Sequence, residues 1–589
     1  MNMNHLFFAL RTVFLTATLA AGTAAWGKQC AVSGVPEKII HMVGNFAVDT
    51  AAAQLAIVDR ARAKGANTVI FSDTKVNNWA LDNSVGTRWF TEMRSFYDGV
   101  KARDMKFVFE TIAIGYCSSM LASAPDLTTG YPVREQPLRA FGGSLVPVNT
   151  AAIGNGGFES FTGNAPDGWD YQDAAGVRTF VDTIVKRSGK SSFRADARDG
   201  ANSRVMTTLT VKPWHQYRVR FWMKAENLSA NYIAALMLDS TSGVALSSQS
   251  LSFPQAENPE DRDYIRQASN LQREWTEVMV TFNSQNTTSL RFALSVFGGT
   301  SGSVWWDDVS IEDVPTLNWL QRGDLPRSAK LANGSSVLLG SDMSEPIDPK
   351  LGKIGYPGRY GYHHQPTLPS ILNAAKIREG DTVYLSGYHG LAATEAQTAC
   401  SWNTPAIISR MRNVHEKIQQ TFQPDGYLLN YDEIRTGGFE PADLVYANSG
   451  AALAASIEKA YKDLFSVAPN ARHYFWSDMV DPAANAVANF YQVNNTLDGS
   501  WKTLKPAKVT MLTWWSGSDI ESKGPASLKF FSDLGFKQVI GAFYDEDVAL
   551  NHQRWQAAKG NLPNIIGGMY TTWTTDYSKI EAFGDWWWK

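Results

Sequence analysis

Cysteine is nearly absent: 589 residues contain three, Cys30, Cys117 and Cys400. An odd, scattered set leaves at least one without an intrachain partner and argues against a disulfide-built scaffold or a structural zinc site. Charge is sparse too. Charged residues make up 19% of the chain, the formal net charge is −3, and no basic block occurs. Nucleic-acid binding needs a concentrated positive field, so that class is excluded. No later apolar run reaches the 18 or so residues of a membrane span. A zinc-protease helix, a phosphate-binding loop, a dinucleotide fingerprint and a nucleophile elbow are all missing from any convincing context. The expectation is chemistry done by side chains, with no cofactor for catalysis.

What is present is core and aromatic surface. Hydrophobic residues are 44% of the chain, with 20 Trp and 21 Tyr. That is enough for a sizeable interior, and the length suggests several structural units. Aromatic rings stack on the C–H faces of sugars, although they also simply fill cores. At the N-terminus, Arg11 precedes an apolar stretch at 12–20 and small residues at 21–25, with Thr23 and Ala25 at the −3 and −1 positions of a cleavage site. Residues 1–25 therefore read as a secretory signal, and the protein as secreted or periplasmic.

From residue 36 short β runs alternate with helical stretches, the rhythm of a parallel α/β fold. Strands are expected at 38–45, 67–73 and 106–111. After a gap of about three hundred residues the rhythm resumes at 427–433, 473–479, 509–515, 538–547 and 565–573. Eight such strands make a closed (β/α)8 TIM barrel, from 36–112 and 421–589. Its C-terminal tips are furnished alike: Asp73, Glu110, Asp432 with Glu433, Asp478, Trp514 with Trp515, Asp545 with Glu546, and Trp573, while the first strand ends on Asn45.

The gap holds an all-β region at 153–313, where turn-rich segments separate short strands in the manner of a jelly-roll β-sandwich. A further β-rich stretch at 315–420 carries an aromatic, His-rich loop at 359–366. It reads as an elaborated loop after the third strand, packed near the barrel mouth. Cys117 and Cys400 both lie in this long insertion, so a bridge between them is one open pairing.

The stretch at 426–435, GYLLNYDEIR, concentrates the chemistry. It is apolar, turns polar at Asn430, and ends on Asp432 and Glu433. An acid held protonated beside a carboxylate is what cleavage of a glycosidic bond needs. The plainer reading is a helix cap, or a pairing with Arg435. Strand neighbours point to opposite sides, so both acids face a substrate only where the strand has ended; if it continues, Glu433 is the expected acid. Asp545 and Glu546 are the candidates for nucleophile or substrate binder. Asp73, Glu110, Asp478, Trp514, Trp515 and Trp573 are the expected sugar-binding wall. Tyr388 and His389, with His363 and His364, are secondary candidates from the insertion.

The sandwich resembles the jelly-roll carbohydrate-binding modules attached to xylanases and other glycanases. The matching pieces are NGGFE at 155–159, PDGW at 166–169, RSGKSSFR at 187–194, YRVRFWMKAE at 217–226 and VWWDDVSIE at 304–312. That resemblance implies a structural Ca2+ held by Glu159 and by Asp307 or Asp308 with backbone carbonyls; the alternative is that these acids accept from turn amides. Trp169, Trp214 and Trp222 either stack on sugar or sit in the core. The barrel loosely resembles family 20 β-hexosaminidases, whose fourth strand ends in Asp-Glu. It also resembles retaining glycosidases with acidic residues after strands 4 and 7, although Asp-Glu-Ile stands here in place of Asn-Glu-Pro. Both resemblances imply a glycoside hydrolase, with N-acetylhexosaminides among the substrates of the first. A non-catalytic glycan-binding protein and a polysaccharide lyase are the alternatives.

Overall fold

Eight parallel strands close on one another: β1 (Glu37–Val43), β2 (Thr68–Ser72), β3 (Lys106–Thr111), β4 (Gly426–Leu429), β5 (Arg472–Trp476), β6 (Val509–Trp515), β7 (Lys537–Phe543) and β8 (Ile565–Thr571), with β8 returning to pair with β1. The computed structural model describes residues 36–589 apart from 83, 112, 255–261, 266, 355–357, 392–396, 544–546 and 574. The expected signal at 1–25, Cys30, Asp545 and Glu546 lie outside the described residues.

Two cores follow from strand alternation. Every second side chain points inward, and Ile39, Ile70, Val108, Leu428, Tyr474, Trp476, Leu512, Val539 and Met569 meet in the barrel interior. The opposite faces pack beneath the outer helices α1 (Ala51–Ala63), α2 (Thr87–Lys101), α3 (Pro405–Thr421), α4 (Ser449–Val467), α5 (Gly524–Asp533), α6 (Val548–Lys559) and α7 (Ile580–Trp587). Helix α2 shows why they form. Its buried residues Trp89, Met93, Phe96, Tyr97 and Val100 recur at helical spacing along one face, and each large side chain buried stabilises by roughly 1.5–3 kcal/mol. Between β5 and β6 the described chain runs as loop, apart from a short 3-10 turn at Asp478–Val480 and the two-residue strand Gln492–Val493, which pairs with Thr436–Gly437.

The insertion is nested. Gly130–Phe141 pairs antiparallel with Thr382–Gly390 in a five-stranded sheet completed by Ser144–Pro147, Ser328–Leu331 and Ser336–Val337. The sandwich lies within it, as a five-stranded and a six-stranded sheet over a common core that includes Phe193, Phe221, Phe292 and Trp306. The segment at 130–141 is an addition to the expected layout. Helix α3, placed inside the 315–420 insertion by the sequence, packs in the barrel's outer core through Ile407, Met411, Val414 and Ile418.

The ends of the insertion meet at its stem. Cys117 and Cys400 form a disulfide with Cα atoms 5.5 Å apart. Beside it the Cys400 N–H donates to the Ile114 carbonyl (3.0 Å) and the Cys117 N–H to the Thr398 carbonyl (2.9 Å). Insertions into barrel loops are tolerated where the insert's ends lie close together in this way.

Candidate active site

The inward parity of the barrel carries on above its apolar layer. Two residues beyond Ile39, Val108, Leu428, Trp476 and Leu512 come His41, Glu110, Asn430, Asp478 and Trp514. His41 Nε2 lies 2.7 Å from Glu110 Oε2, and Asn430 Nδ2 donates to Glu110 Oε1. Burial pushes the Glu110 carboxyl upward, but the His41 charge and the hydrogen bonds from His41 and Asn430 outweigh it and leave the group below the usual range. Gly541 makes room at this level: a Cβ there would lie 3.2 Å from Trp514 Cβ and 3.3 Å from the Trp476 ring.

Strand β4 stops at Leu429, and Glu433 adopts a left-handed conformation (φ 44°), which costs on the order of 1 kcal/mol for a residue with a Cβ. The strand has ended before the acidic pair, so alternation no longer separates the two side chains. Asp432 and Asp478 are both buried, and lie near enough for each carboxyl to act on the other. Burial first, and then the neighbouring Asp478, Glu433 and Glu110, hold the Asp432 carboxyl far above the usual range. Asp478 is pushed up to about 6, chiefly by burial. It accepts from the Glu433 N–H (3.0 Å) and from Asn485 Nδ2 (2.9 Å).

Glu433 is held differently. It reaches the surface, pairs with Arg435 Nη2 at 2.7 Å, and accepts from the Tyr116 hydroxyl. Burial and Glu433 raise the Tyr116 phenol, so it stays a hydrogen-bond donor. Gln397 joins this wall: its Nε2 donates to the Glu433 carbonyl (2.8 Å) and its Oε1 accepts from Arg435 Nη1 (2.8 Å). The contact is close, since a Cβ on Gly115 would lie 2.4 Å from the Asp432 carbonyl oxygen. Above the acids Trp573 is 41% exposed, with its ring 5.1 Å from His41 and 5.7 Å from Trp476. Trp514 packs on the barrel interior and is half-buried.

Other expected site residues are placed elsewhere. Trp515, next to Trp514, points outward: its Nε1 donates to Ser527 Oγ (2.9 Å) and Lys523 covers its ring. Asp73 caps the helix Lys75–Asp82 through the Lys75 N–H (2.9 Å) and accepts from Trp89 Nε1 (2.8 Å), so both oxygens face the outer core. Tyr388 and His389 lie in the insertion. His389 sits 2.9 Å from Asn283 of the sandwich, and burial pushes its imidazole down to about 4. Tyr388 is buried near Glu440, which raises its phenol further after burial itself. The loop at 359–366 faces both ways: Tyr360 is buried in the cluster that includes Phe109, Cys117 and Cys400, and the residues after it pack on the sandwich. Arg218 Nη1 donates to the carbonyls of Tyr362 (3.1 Å) and His364 (2.8 Å), and His364 pairs with Asp348.

In the sandwich, Trp169 is buried against Phe158 (4.8 Å), Arg134 lies 4.4 Å from the Trp214 ring, and Arg187 lies 3.7 Å from the Trp222 ring. Asp308 pairs with Arg187 and accepts from Ser188 Oγ. Asp307 accepts from the backbone N–H groups of Arg187, Ser188 and Asp308, and Glu159 from that of Lys190. Among the described residues no group of three or more His, Cys, Asp or Glu stands together to hold a metal ion, so a cation here would need carbonyl oxygens as well.

Comparison with known proteins places one domain. A family model described as a carbohydrate-binding domain matches residues 150–302. No curated protein matches the chain. Among solved structures, the xylan-binding CBM22-1 domain of Paenibacillus barcinonensis Xyn10C is 16% identical over 28% of this chain and 96% of its own (TM-score 0.19). An arabinose-bound α-L-arabinofuranosidase, MgGH51, is 10% identical over 75% of each chain (TM-score 0.21). A rhamnosidase from Novosphingobium sp. PP1Y is 10% identical over 94% of this chain and 58% of its own (TM-score 0.33). At these scores the likenesses carry no argument about activity. The chain thus combines a carbohydrate-binding-module domain with a closed barrel of eight parallel strands.

Proposed function

We propose that the protein is a glycoside hydrolase, with a (β/α)8 barrel as its catalytic domain and the sandwich as its carbohydrate-binding module. The observation that carries this reading is the division of labour at the barrel mouth: Asp432 is a buried carboxyl that burial and neighbouring acids favour in its protonated form, and Glu433, beside it, is ion-paired with Arg435. Asp432 gives its proton to the glycosidic oxygen as the C–O bond breaks. Glu433 faces the positive charge that develops at the anomeric carbon, as nucleophile or as base toward water. This gives the acid's role to Asp432, where the sequence pointed to Glu433 with Asp432 as its partner and Asp545 or Glu546 as nucleophile or substrate binder. Trp573 offers an exposed ring to stack on sugar.

The substrate is a neutral or N-acetylated glycan. Among the described residues, Glu110, Asp432, Glu433 and Asp478 face the guanidinium of Arg435 and the imidazole of His41. Such a site repels uronates and sulfates, and among the described residues it offers no cationic clamp of the kind a lyase needs to neutralise a uronate. The wild-type protein is expected to release sugar from neutral polysaccharides or aryl glycosides, N-acetylhexosaminides included, and to give neither release nor ultraviolet-absorbing unsaturated product from pectate or alginate. Retention on one polysaccharide with release from none would make it a glycan-binding protein instead.

Two further proposals accompany this. The Cys117–Cys400 disulfide fits an oxidising compartment, which supports export to the periplasm or medium. Glu159 and Asp307 converge around Gly157, where a Cβ would lie 3.4 Å from Glu159 Cγ and 3.9 Å from Asp307 Oδ1. The space left by the missing side chain, beside the fully buried Asp307, supports calcium there, with Asp308 withheld by Arg187. Calcium is expected to raise the melting temperature of chelator-treated protein by several degrees, and Asp307→Asn to remove that rise. A melting temperature indifferent to calcium would leave both acids as acceptors of turn amides.

A further inference from the structure

Asp478 was expected to bind sugar, yet its place in the structure is among the acids. Its Oδ2 takes the Glu433 N–H (3.0 Å) and Asn485 Nδ2 (2.9 Å). Its Oδ1 and the Oδ1 of Asp432 are both buried, and among the described residues neither receives an N–H or O–H. They are the bare oxygens of two neighbouring buried carboxyls, so a proton held between the acids would satisfy both. We propose that Asp478 is a positioning residue, whose buried carboxylate holds the proton of Asp432 ready for the leaving oxygen and so sets the upper pH limit of catalysis. This rests on the reading of Asp432 as proton donor.

Among the described residues, titratable groups face the pair from several sides. Glu110 approaches from β3, with His41 of β1 bound to it; Tyr116 approaches from the start of the insertion; Glu433 and Arg435 follow on the pair's own segment. Arg435 is engaged by Glu433 and Gln397, and His41 by Glu110. Each of these cations already answers a carboxylate, so the pair keeps one proton to a higher pH than an isolated acid would. In turnover that proton passes to the leaving oxygen, which also takes the electrons of the broken C–O bond. The water that replaces the leaving group returns a proton to the cluster.

Infrared spectra of the whole protein in D2O test the shared proton without any substrate. A buried carboxylic-acid carbonyl band is expected at neutral pH in the wild type and its loss in Asp432→Asn. In Asp478→Asn the pH at which the band disappears is expected to fall by about one unit or more. The basic limb of the pH–rate profile, on whichever aryl glycoside the wild type hydrolyses, should fall with it, while the acidic limb stays. A wild type without the band at neutral pH, or a band and basic limb unmoved in Asp478→Asn, would overturn the proposal. A wild type that shows the band but hydrolyses no glycoside would leave the shared proton standing and overturn the hydrolase reading instead.

Discussion

Asp432→Asn is expected to cost roughly a hundred- to ten-thousandfold in turnover while raising the stability of the protein at neutral pH. The first effect follows from removing the proton donor, since general acid catalysis contributes roughly 10²–10⁴-fold. The second follows from linkage. The carboxyl of Asp432 has a folded-state pKa far above that of an unfolded aspartate, so the native state binds more protons than the unfolded one. Its contribution to stability is complete below the unfolded value, about 3.9, and is lost as pH rises toward the folded value, at about 1.4 kcal/mol per unit. Asparagine keeps the shape, carries no charge, and brings an N–H that can satisfy the bare Oδ1 of Asp478. A gain of roughly 1–3 kcal/mol is expected at pH 7, vanishing below pH 4, and thermal melts of both proteins from pH 4 to 8 measure it. Glu433→Gln should also lose turnover but melt lower than the wild type, because it strands Arg435. If Asp432→Asn melted lower at neutral pH, the aspartate would be an ordinary structural carboxylate.

All eight barrel strands were legible in the sequence, in order and within a few residues, because short apolar runs alternating with helical stretches leave few other folds. The site was only partly legible. Asp73 and Asp478 stand in the near-identical contexts FSD and WSD, yet one caps a helix against Trp89 and the other joins Asp432. The difference lies in partners distant in sequence. Trp514 and Trp515 were separable in principle: counting by twos from Leu512 sends the first inward and the second outward. The same count from Ile39 finds His41, which passes for a core residue within HMV. Tyr116 and Gln397 offered no such signal, since the chain between them must fold before they meet. The strand Gly130–Phe141 was hidden by Pro132 and Pro137, which normally argue against a strand. The structure accommodates them opposite Tyr388 and Tyr384, with the register shifting between those pairs.

Removing the Cys117–Cys400 bridge is expected to weaken both the fold and the catalyst, for separate reasons. The two cysteines are 283 residues apart, and the loop-closure cost of the unfolded chain grows only slowly with length. The expected loss is therefore about 5 kcal/mol as an upper figure, close to that for a 100-residue loop. The catalytic effect comes from position. Tyr116 precedes Cys117 and binds the Glu433 side chain, while Gln397, three residues before Cys400, binds the Glu433 carbonyl and Arg435. The bridge thus clamps the two ends of the insertion around the acidic pair. The double Cys117→Ser, Cys400→Ser protein should melt well below the wild type and, assayed at a temperature where it remains folded, turn over several-fold more slowly. Its basic pH limb should stay in place, because Asp432 and Asp478 do not touch the stem disulfide. Tyr116→Phe separates the two effects. It removes the hydroxyl from Glu433 and leaves the bridge intact, so it should lower turnover with little change in melting. If the double serine protein kept full turnover and only its melting fell, the stem would be a staple for the fold and Glu433 would hold its position through Arg435 alone.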